Sequence, residues 1–172
     1  MGQEVAEKHA TVMSADVVGY TAMMALNASA TLHGLLACFR RIERLVNQFG
    51  GRIVDAPGDN MLIEFPTEVG AVLCAIEVQR VLEGLRAETP GPPMHIRIGL
   101  DSGDALTRCG RLYGNPVNIA ARLQTAAEPD AVLMSEAIAE QLPSALQNTF
   151  EELGPCRYKN VPTLIRTYRA RP

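Results

Sequence analysis

"GRIVDAPGDNMLIEF", residues 51–65, consists of two short apolar runs separated by an acidic turn around Pro57 and Gly58. Runs of this length on either side of a Pro-Gly pair are typical of a β-hairpin. We therefore predict strands at about 51–56 and 60–65. The turn carries Asp55 and Asp59, four positions apart, with no Lys or Arg between them. Two unneutralised acids in one turn call for an explanation beyond turn chemistry.

A strand and a helix precede this hairpin, and a second helix follows it. "ATVMSADVVGY" (10–20) is apolar and β-branched, which predicts a buried strand. Leucines and other apolar residues recur at helical spacing over 27–51, where two glycines end the pattern, and again over 67–88. The order strand, helix, hairpin, helix is the first half of a split βαβ arrangement.

The second half of the chain repeats the mixture of strands and helices. Residues 94–106 indicate a strand, a Ser-Gly turn and the start of another strand, with Asp101 and Asp104 as simple turn acids. A helix at 115–127 carries Pro116 in its first turn, a favoured position for proline. A strand (131–135), a short helix (136–142) and two strands around "YKNVPT" complete the pattern. The prediction is an α+β fold, a ferredoxin-like βαββαβ core with an added βαβ and hairpin extension.

Length and composition limit the classes of function. The 172 residues fit one domain, and 47% hydrophobic residues suffice for a core. We assign residues 1–9 to a polar lead-in or linker and 10–172 to the domain. A net charge of −3 argues against a general nucleic-acid binder. A ferredoxin-like RNA-binding module is also disfavoured, because aromatic residues make up 5% of the chain and no RNP-type aromatics are present.

The cysteines and the apolar runs indicate a cytoplasmic setting. Four cysteines lie far apart, without a CxxC pair, which favours reduced thiols over a metal or disulfide framework. No apolar run approaches the roughly 18 residues of a membrane span, and the first residues lack a signal-peptide pattern. We expect a soluble cytoplasmic domain, which could also be part of a longer protein.

Two acids at strand ends are the first candidate functional residues. Asp16 lies at the end of the first strand and Asp59 in the hairpin turn, and in a βαββ arrangement these strands are neighbours. Two close carboxylates repel, and a divalent cation such as Mg²⁺ would hold them together. The segment after Asp16, bent at Gly19, could direct backbone N–H groups at phosphates. The alternative is that both acids serve only as a turn residue and a cap.

Asn118 and Arg122 are the second candidate pair. They are spaced i, i+4 in "GNPVNIAARL" and therefore project from one side of the predicted helix. An amide and a guanidinium held together suit the orientation of a ribose and the stabilisation of charge on a transferring phosphoryl group. The alternative is a solvated helix face on which Arg122 pairs with an acid.

Four motifs together resemble the catalytic domain of the class III adenylate and guanylate cyclases, most of all the bacterial forms. They are "SADVVGYT", "GGRIV…GDNMLIEF", "IRIGLDSGD" and "YGNPVNIAARL". The resemblance runs from about residue 11 to the tail "YKNVPTLIRTYRA", nearly the whole chain. Such a domain cyclises a nucleoside triphosphate to a 3′,5′-cyclic nucleotide and pyrophosphate. The resemblance implies a class III nucleotidyl cyclase fold that pairs head-to-tail as a homodimer, with active sites at the interface.

The resemblance also implies roles for individual residues. Asp16 and Asp59 of one subunit would hold two Mg²⁺ or Mn²⁺ ions, while Asn118 and Arg122 of the other would orient the ribose and stabilise the transition state. Lys159 in the tail would contact the triphosphate. Backbone of the segment after the first acid would wrap the triphosphate, a segment made of Val17, Val18, Gly19, Tyr20 and Thr21.

Two positions depart from the family's base pocket. Adenylate cyclases of this type bind adenine with a Lys four residues before the second metal acid and an Asp three before the glycine of the YG turn. Here those positions hold Asp55 and Arg111, so the charges are exchanged. The pair could read adenine, guanine or cytosine by hydrogen bonding, or close on itself as a salt bridge. The family makes ATP the first expectation, without settling the base.

Two classes of function follow from the resemblance. The first is a metal-dependent nucleotidyl cyclase, because the metal and transition-state positions carry the family's residues. The second is a degenerate cyclase-like domain that binds nucleotide or a partner as a regulatory dimer, which the altered base pocket motivates.

Overall fold

A computed structural model describes residues 4–88 and 92–170 and contains eight strands and five helices within these ranges. The helices are α1 (Tyr20–Gln48), α2 (Glu68–Glu88), α3 (Asn115–Ala126), α4 (Glu136–Ala139) and α5 (Ser144–Gln147). The strands are β1 (Ala6–Val17), β2 (Arg52–Asp55), β3 (Asn60–Phe65), β4 (Ile96–Arg108), β5 (Arg111–Tyr113), β6 (Val132–Ser135), β7 (Phe150–Cys156) and β8 (Ile165–Ala170).

All eight strands belong to one sheet of order β2-β3-β1-β4-β6-β8-β7, with β5 paired to β4. The β4–β6 pairing is parallel and the other pairings are antiparallel. The β1–α1–β2–β3–α2–β4 half forms the split βαβ core, and β6, β7 and β8 extend it. The predicted α+β class and its hairpin extension are confirmed.

Each face of the sheet is covered by different helices. The larger core lies under α1 and α2 and includes Met13, Ile63 and Ile98, all fully buried. The opposite face carries α3, whose Ala120 and Leu123 pack into two smaller apolar clusters. Because side chains alternate along a strand, residues next to each other on β1 and β4 serve these two different cores.

Three local predictions were wrong. β1 begins at Ala6, so residues 6–9 form strand rather than a polar lead-in, while residues 1–3 lie outside the described ranges. β4 continues through the predicted Ser102-Gly103 turn because its residues from Gly99 to Arg108 pair with β1 or β5. α1 begins at Tyr20, seven residues before the predicted start, and breaks at Asn27 (φ −156°, ψ 92°). The Asn27 side chain accepts a hydrogen bond from the Ala30 N–H, so it caps the part of the helix that periodicity detected.

α1 is long and apolar enough, by length and composition, to cross a membrane. This corrects the expectation that no segment reaches that length. The same helix buries Leu35, Ile42 and Val46 in the core under the sheet, as a core helix of a folded domain does.

The position of α3 depends on Gly99, which lies in the middle of β4. A Cβ at Gly99 would overlap the Ala120 carbonyl oxygen and the Gln124 backbone nitrogen, both on α3. Backbone atoms cannot rotate aside as a side chain tip can. The helix therefore lies directly on the strand at this point, closer than any side chain larger than hydrogen would permit.

We expect Gly99→Ala to lower the free energy of unfolding by about 3 kcal/mol, because the added methyl forces α3 away from β4. Urea unfolding followed by circular dichroism measures the change. Gly84→Ala is the matched control, because Gly84 lies in α2 and an added methyl there would meet no atom within 4 Å. That substitution should raise stability by up to about 1 kcal/mol. Equal effects of the two substitutions would contradict the role given to Gly99.

Asp101 is a buried acid of β4 on the face that α3 covers, instead of a turn residue. It is 4% exposed and accepts a hydrogen bond from the Ser135 hydroxyl. Burial raises the pKa of Asp101 to about 6, although the bonds from Ser135 and the Ser102 backbone lower it in part. The folded chain thus binds this proton more tightly than the unfolded chain does.

Asp101 should therefore stabilise the fold below about pH 4 and lose that contribution as pH rises to about 6. We expect Asp101→Asn, which cannot ionise, to gain stability over the natural protein on going from pH 4 to pH 7. The gain should be on the order of 2–3 kcal/mol, from a pKa shift of about two units. Urea unfolding of both proteins across this range gives the difference, and a pH-independent difference would be the opposite result.

Candidate active site

The ends of β1 and β3 bring Asp16 and Asp59 together. Asp16 is paired with Asn60 in the β1–β3 register, and Asp59 directly precedes Asn60 in the hairpin turn. The Val17 N–H donates to the Asp59 carbonyl oxygen at 3.3 Å, which closes the end of the ladder. The sheet therefore places the two acids side by side, as the sequence predicted.

The two carboxyl groups influence each other directly. Burial raises the pKa of Asp59, a backbone hydrogen bond lowers it in part, and the charge of Asp16 and a hydrogen bond with it raise it again. A raised carboxyl pKa beside a second acid means that the negative charges are incompletely compensated. Such a pair favours a cation between its oxygen atoms.

Arg97 and Gln124 contact Asp16, and neither was among the residues that the sequence suggested. The Arg97 Nη2 donates to Asp16 Oδ2 at 2.6 Å, with side chains 26% and 17% exposed. The Gln124 Nε2 donates to the same oxygen at 3.2 Å. Arg97 interrupts the apolar run "IRIGL" of a strand, and this charge in an otherwise buried segment was the available signal. Gln124 left no comparable signal.

The acid pair suits a hard divalent cation whose remaining ligands come from outside the protein. Within residues 4–88 and 92–170, no group of three or more His, Cys, Asp or Glu side chains is positioned to hold a metal. Two carboxylates alone are what Mg²⁺ accepts when substrate phosphates and water supply the other ligands. Such a cation would compete with Arg97 for Asp16 Oδ2, which accepts the Arg97 hydrogen bond.

The turn after Asp16 offers fewer backbone donors than the sequence indicated. The Val17 N–H is bonded to Asp59, and the Val18 N–H donates to the His95 carbonyl oxygen at 2.9 Å. Gly19 then adopts φ +70°, a left-handed conformation that suits glycine, and Tyr20 begins α1. The N–H groups of the first helical turn, including those of Tyr20 and Thr21, have no partner within a helix. The N–H groups left available for an anion are therefore those from Gly19 onward.

Asn118 and Arg122 lie on the side of α3 that faces away from its own acid pair. Asn118 is exposed and Arg122 half-buried, whereas Leu123 and Gln124 are buried against the sheet. Arg122 forms no ion pair with any acid in the described part of the chain. The helix thus presents an amide and a guanidinium outward, close together and available to a second molecule.

Asp55 and Arg111 lie near each other at the rim of the sheet. Their charged atoms, Asp55 Oδ2 and Arg111 Nη2, are 3.9 Å apart, and the side chains are 45% and 63% exposed. Asp55 also accepts a hydrogen bond from the Ala56 N–H at 3.0 Å. An exposed pair at this distance contributes little to stability and separates easily.

Lys159 is exposed in the loop between β7 and β8. The preceding Tyr158 fixes this loop, since its hydroxyl bonds Thr167 at 2.9 Å and its ring packs on the cluster around Leu123. The base of the loop is therefore attached to α3, while the lysine remains at the surface.

Comparison with known proteins places these residues in a family. The sequence model for the adenylate and guanylate cyclase catalytic domain matches residues 3–169. An adenylate cyclase of Streptomyces coelicolor is 33% identical over 141 residues, which is 81% of this chain and 36% of that protein. The chain spans 27% to 41% of the length of three curated relatives that it matches.

Solved structures agree with the sequence match. The crystal structure of an adenylate/guanylate cyclase/hydrolase from Silicibacter pomeroyi has a TM-score of 0.87 at 31% identity, covering 98% of this chain and 99% of that one. The guanylate cyclase domain of a Catenaria anguillulae protein, crystallised with GTP, has a TM-score of 0.83 at 20% identity, covering 97% and 100%. At that identity the second likeness concerns the fold alone.

Proposed function

Because this chain belongs to the family of adenylate and guanylate cyclase catalytic domains, we propose that it converts a nucleoside triphosphate to a 3′,5′-cyclic nucleotide. In this reaction the ribose 3′-oxygen bonds to the α-phosphorus, the bond to the β-phosphate oxygen breaks, and pyrophosphate and the hydroxyl proton leave. The observation that carries the proposal is the pairing of Asp16 with Asp59 beside the N-terminus of α1.

Asp16 and Asp59 would hold two Mg²⁺ or Mn²⁺ ions, which supply charge to polarise the 3′-hydroxyl and to neutralise the phosphates. The paired carboxylates and their incompletely compensated charge support this assignment. Arg97, already bonded to Asp16, would exchange that carboxylate for a phosphate oxygen once a metal is bound. Its guanidinium then remains beside the developing charge of the leaving pyrophosphate.

The triphosphate would lie against the turn between β1 and α1. Gly19 contributes no side chain to this turn. The first N–H groups of α1 point out of the helix end, and they include those of Tyr20 and Thr21. Val17 and Val18 shape the turn, since their own N–H groups are engaged within the fold. Lys159 would add a positive charge from the β7–β8 loop.

Asn118 and Arg122 would complete the site of a second copy of the chain. They lie on the outer side of α3, away from the Asp16 and Asp59 of their own chain, which supports a head-to-tail homodimer. In such a dimer Asn118 orients the ribose and Arg122 stabilises the charge on the reacting phosphate. Each of the two sites then takes metal ligands from one protomer and α3 from the other.

ATP is the proposed substrate, because relatives that cover most of this chain are named adenylate cyclases. Asp55 and Arg111 occupy the base-reading positions, and their loose contact can open to admit a base. The same exchanged charges favour, as second candidate, a regulatory dimer that binds nucleotide without turning it over. We place the domain in the cytoplasm, where nucleoside triphosphates are available.

We expect the purified chain with Mn²⁺ to form cyclic nucleotide and pyrophosphate from at least one of ATP, GTP, CTP and UTP. Asp59→Ala should lower the rate by at least about 100-fold, since one metal ligand is lost. Chromatography of the nucleotide product together with a pyrophosphate assay measures both. If no triphosphate yields product above the Asp59→Ala background, the chain acts as the binding module instead.

A mixing experiment provides the control, because each proposed site combines residues of two chains. Asp59→Ala and Arg122→Ala should each be inactive, yet a mixture should regain about a quarter of the natural activity, because half of the randomly paired dimers contain one intact site. Sedimentation at the assay concentration checks that dimers form. A mixture as inactive as its components would refute sites that combine two chains.

The base readers can be tested by restoring the family's charges. We expect Asp55→Lys combined with Arg111→Asp to raise the preference for ATP over GTP by about tenfold, the value of one or two discriminating hydrogen bonds. Competition assays with the four triphosphates give the ratio of kcat/KM values. An unchanged ratio would rule out both residues as base readers.

A further inference from the structure

Helix α3 touches the proposed catalytic machinery on both of its sides. Its outer side carries Asn118 and Arg122, and its buried side carries Gln124, two positions after Arg122 and therefore about 200° around the helix. Gln124 is 4% exposed, and its Nε2 donates to Asp16 Oδ2 at 3.2 Å. A buried amide directed at a carboxylate of the acid pair limits where that carboxylate can lie.

A second contact joins the same helix to the same acid. Arg97 donates through Nη1 to the Thr125 carbonyl oxygen on α3 at 3.2 Å and through Nη2 to Asp16 at 2.6 Å. The backbone of α3 meanwhile lies directly on Gly99, so the helix cannot approach β4 any further. A displacement of α3 therefore has to change its contacts with Asp16.

We propose that Gln124 is a positioning residue that transmits the position of α3 to Asp16 of the same chain. The inference rests on the proposed function, in which Asn118 and Arg122 of this helix act in one site and Asp16 in the other. Gln124 then links the ribose-binding helix of one site to the metal carboxylate of the second. Substrate bound at the first site would thereby alter metal binding at the second.

Gln124→Met tests the link, because methionine preserves the volume of the side chain and removes the donor. We expect it to weaken Mn²⁺ binding about tenfold, as loss of an outer hydrogen bond to a metal ligand does. Electron paramagnetic resonance of free Mn²⁺, with 3′-deoxy-ATP as a triphosphate that cannot cyclise, measures binding without turnover. Gln48→Met at the exposed end of α1 is the matched control and should change nothing.

A second variant separates the hydrogen bond from the packing. Gln124→Asn retains the amide but is one methylene shorter, so its donor cannot reach Asp16 from the same backbone position. We expect the same loss of Mn²⁺ affinity in both variants, with urea unfolding to record their different packing costs. The proposal would be overturned if the Mn²⁺ affinities of the two variants differed in proportion to their stabilities, because both variants lack the same hydrogen bond.

Mixed dimers with one intact site show whether the effect crosses between sites. One protomer carries Asp59→Ala and supplies α3, and its partner carries Arg122→Ala and supplies the metal acids. Gln124→Met in the metal-supplying chain should raise the Mn²⁺ concentration for half-maximal rate and leave kcat unchanged. Gln124→Met in the chain that supplies α3 should lower kcat about threefold at saturating Mn²⁺, because α3 of that chain is no longer hydrogen-bonded to Asp16 of the same chain.

The outcomes distinguish the two proposals. Equal effects in both placements, or effects equal to those of Gln48→Met, would overturn the role of Gln124 while the cyclase activity stands. Absence of product from the natural chain would overturn the proposed function. The Mn²⁺ binding measurement would then still decide whether Gln124 positions Asp16.

Discussion

The close contact between α3 and the centre of β4 is the constraint on which the site depends. Gly99 allows the helix backbone to lie against the strand, at a distance that a single methyl group would prevent. That approach brings the Gln124 amide within hydrogen-bond distance of Asp16 and directs Asn118 to the outside. Gly99 therefore determines that Gln124 of α3 contacts the acid pair of its own chain, while Asn118 stays exposed to a second molecule.

Charge compensation around the acid pair is the second organising feature. Burial and the nearby charge of Asp16 raise the pKa of Asp59, while the charge of Arg97 lowers it in part; Arg97 and Gln124 donate hydrogen bonds to Asp16. In the proposed site a divalent cation would neutralise the two acids, and an anionic substrate would pair with the Arg97 guanidinium.

Sequence patterns predict much of this architecture where the local signal agrees with the tertiary environment. The hairpin at 51–65, helix 67–88 and helix 115–127 match the structure within a few residues, because turn residues and apolar periodicity coincide there. The predicted Ser102-Gly103 turn is wrong because strand pairing with β1 overrides a weak turn signal. The same error predicts a surface acid at Asp101, which lies buried beneath α3.

The sequence by itself determined the fold class, the family and the identity of the paired acids, because those depend on residue order and on motifs whose members are close along the chain. The tertiary structure decided which groups surround the acids and which way α3 faces. Arg97 and Gln124 reach Asp16 across 81 and 108 positions of sequence, a separation at which no periodicity or spacing carries information. The antiparallel pairing of β1 with β4 sets Arg97 directly opposite Asp16, and the packing of α3 on Gly99 brings Gln124 to the same carboxylate.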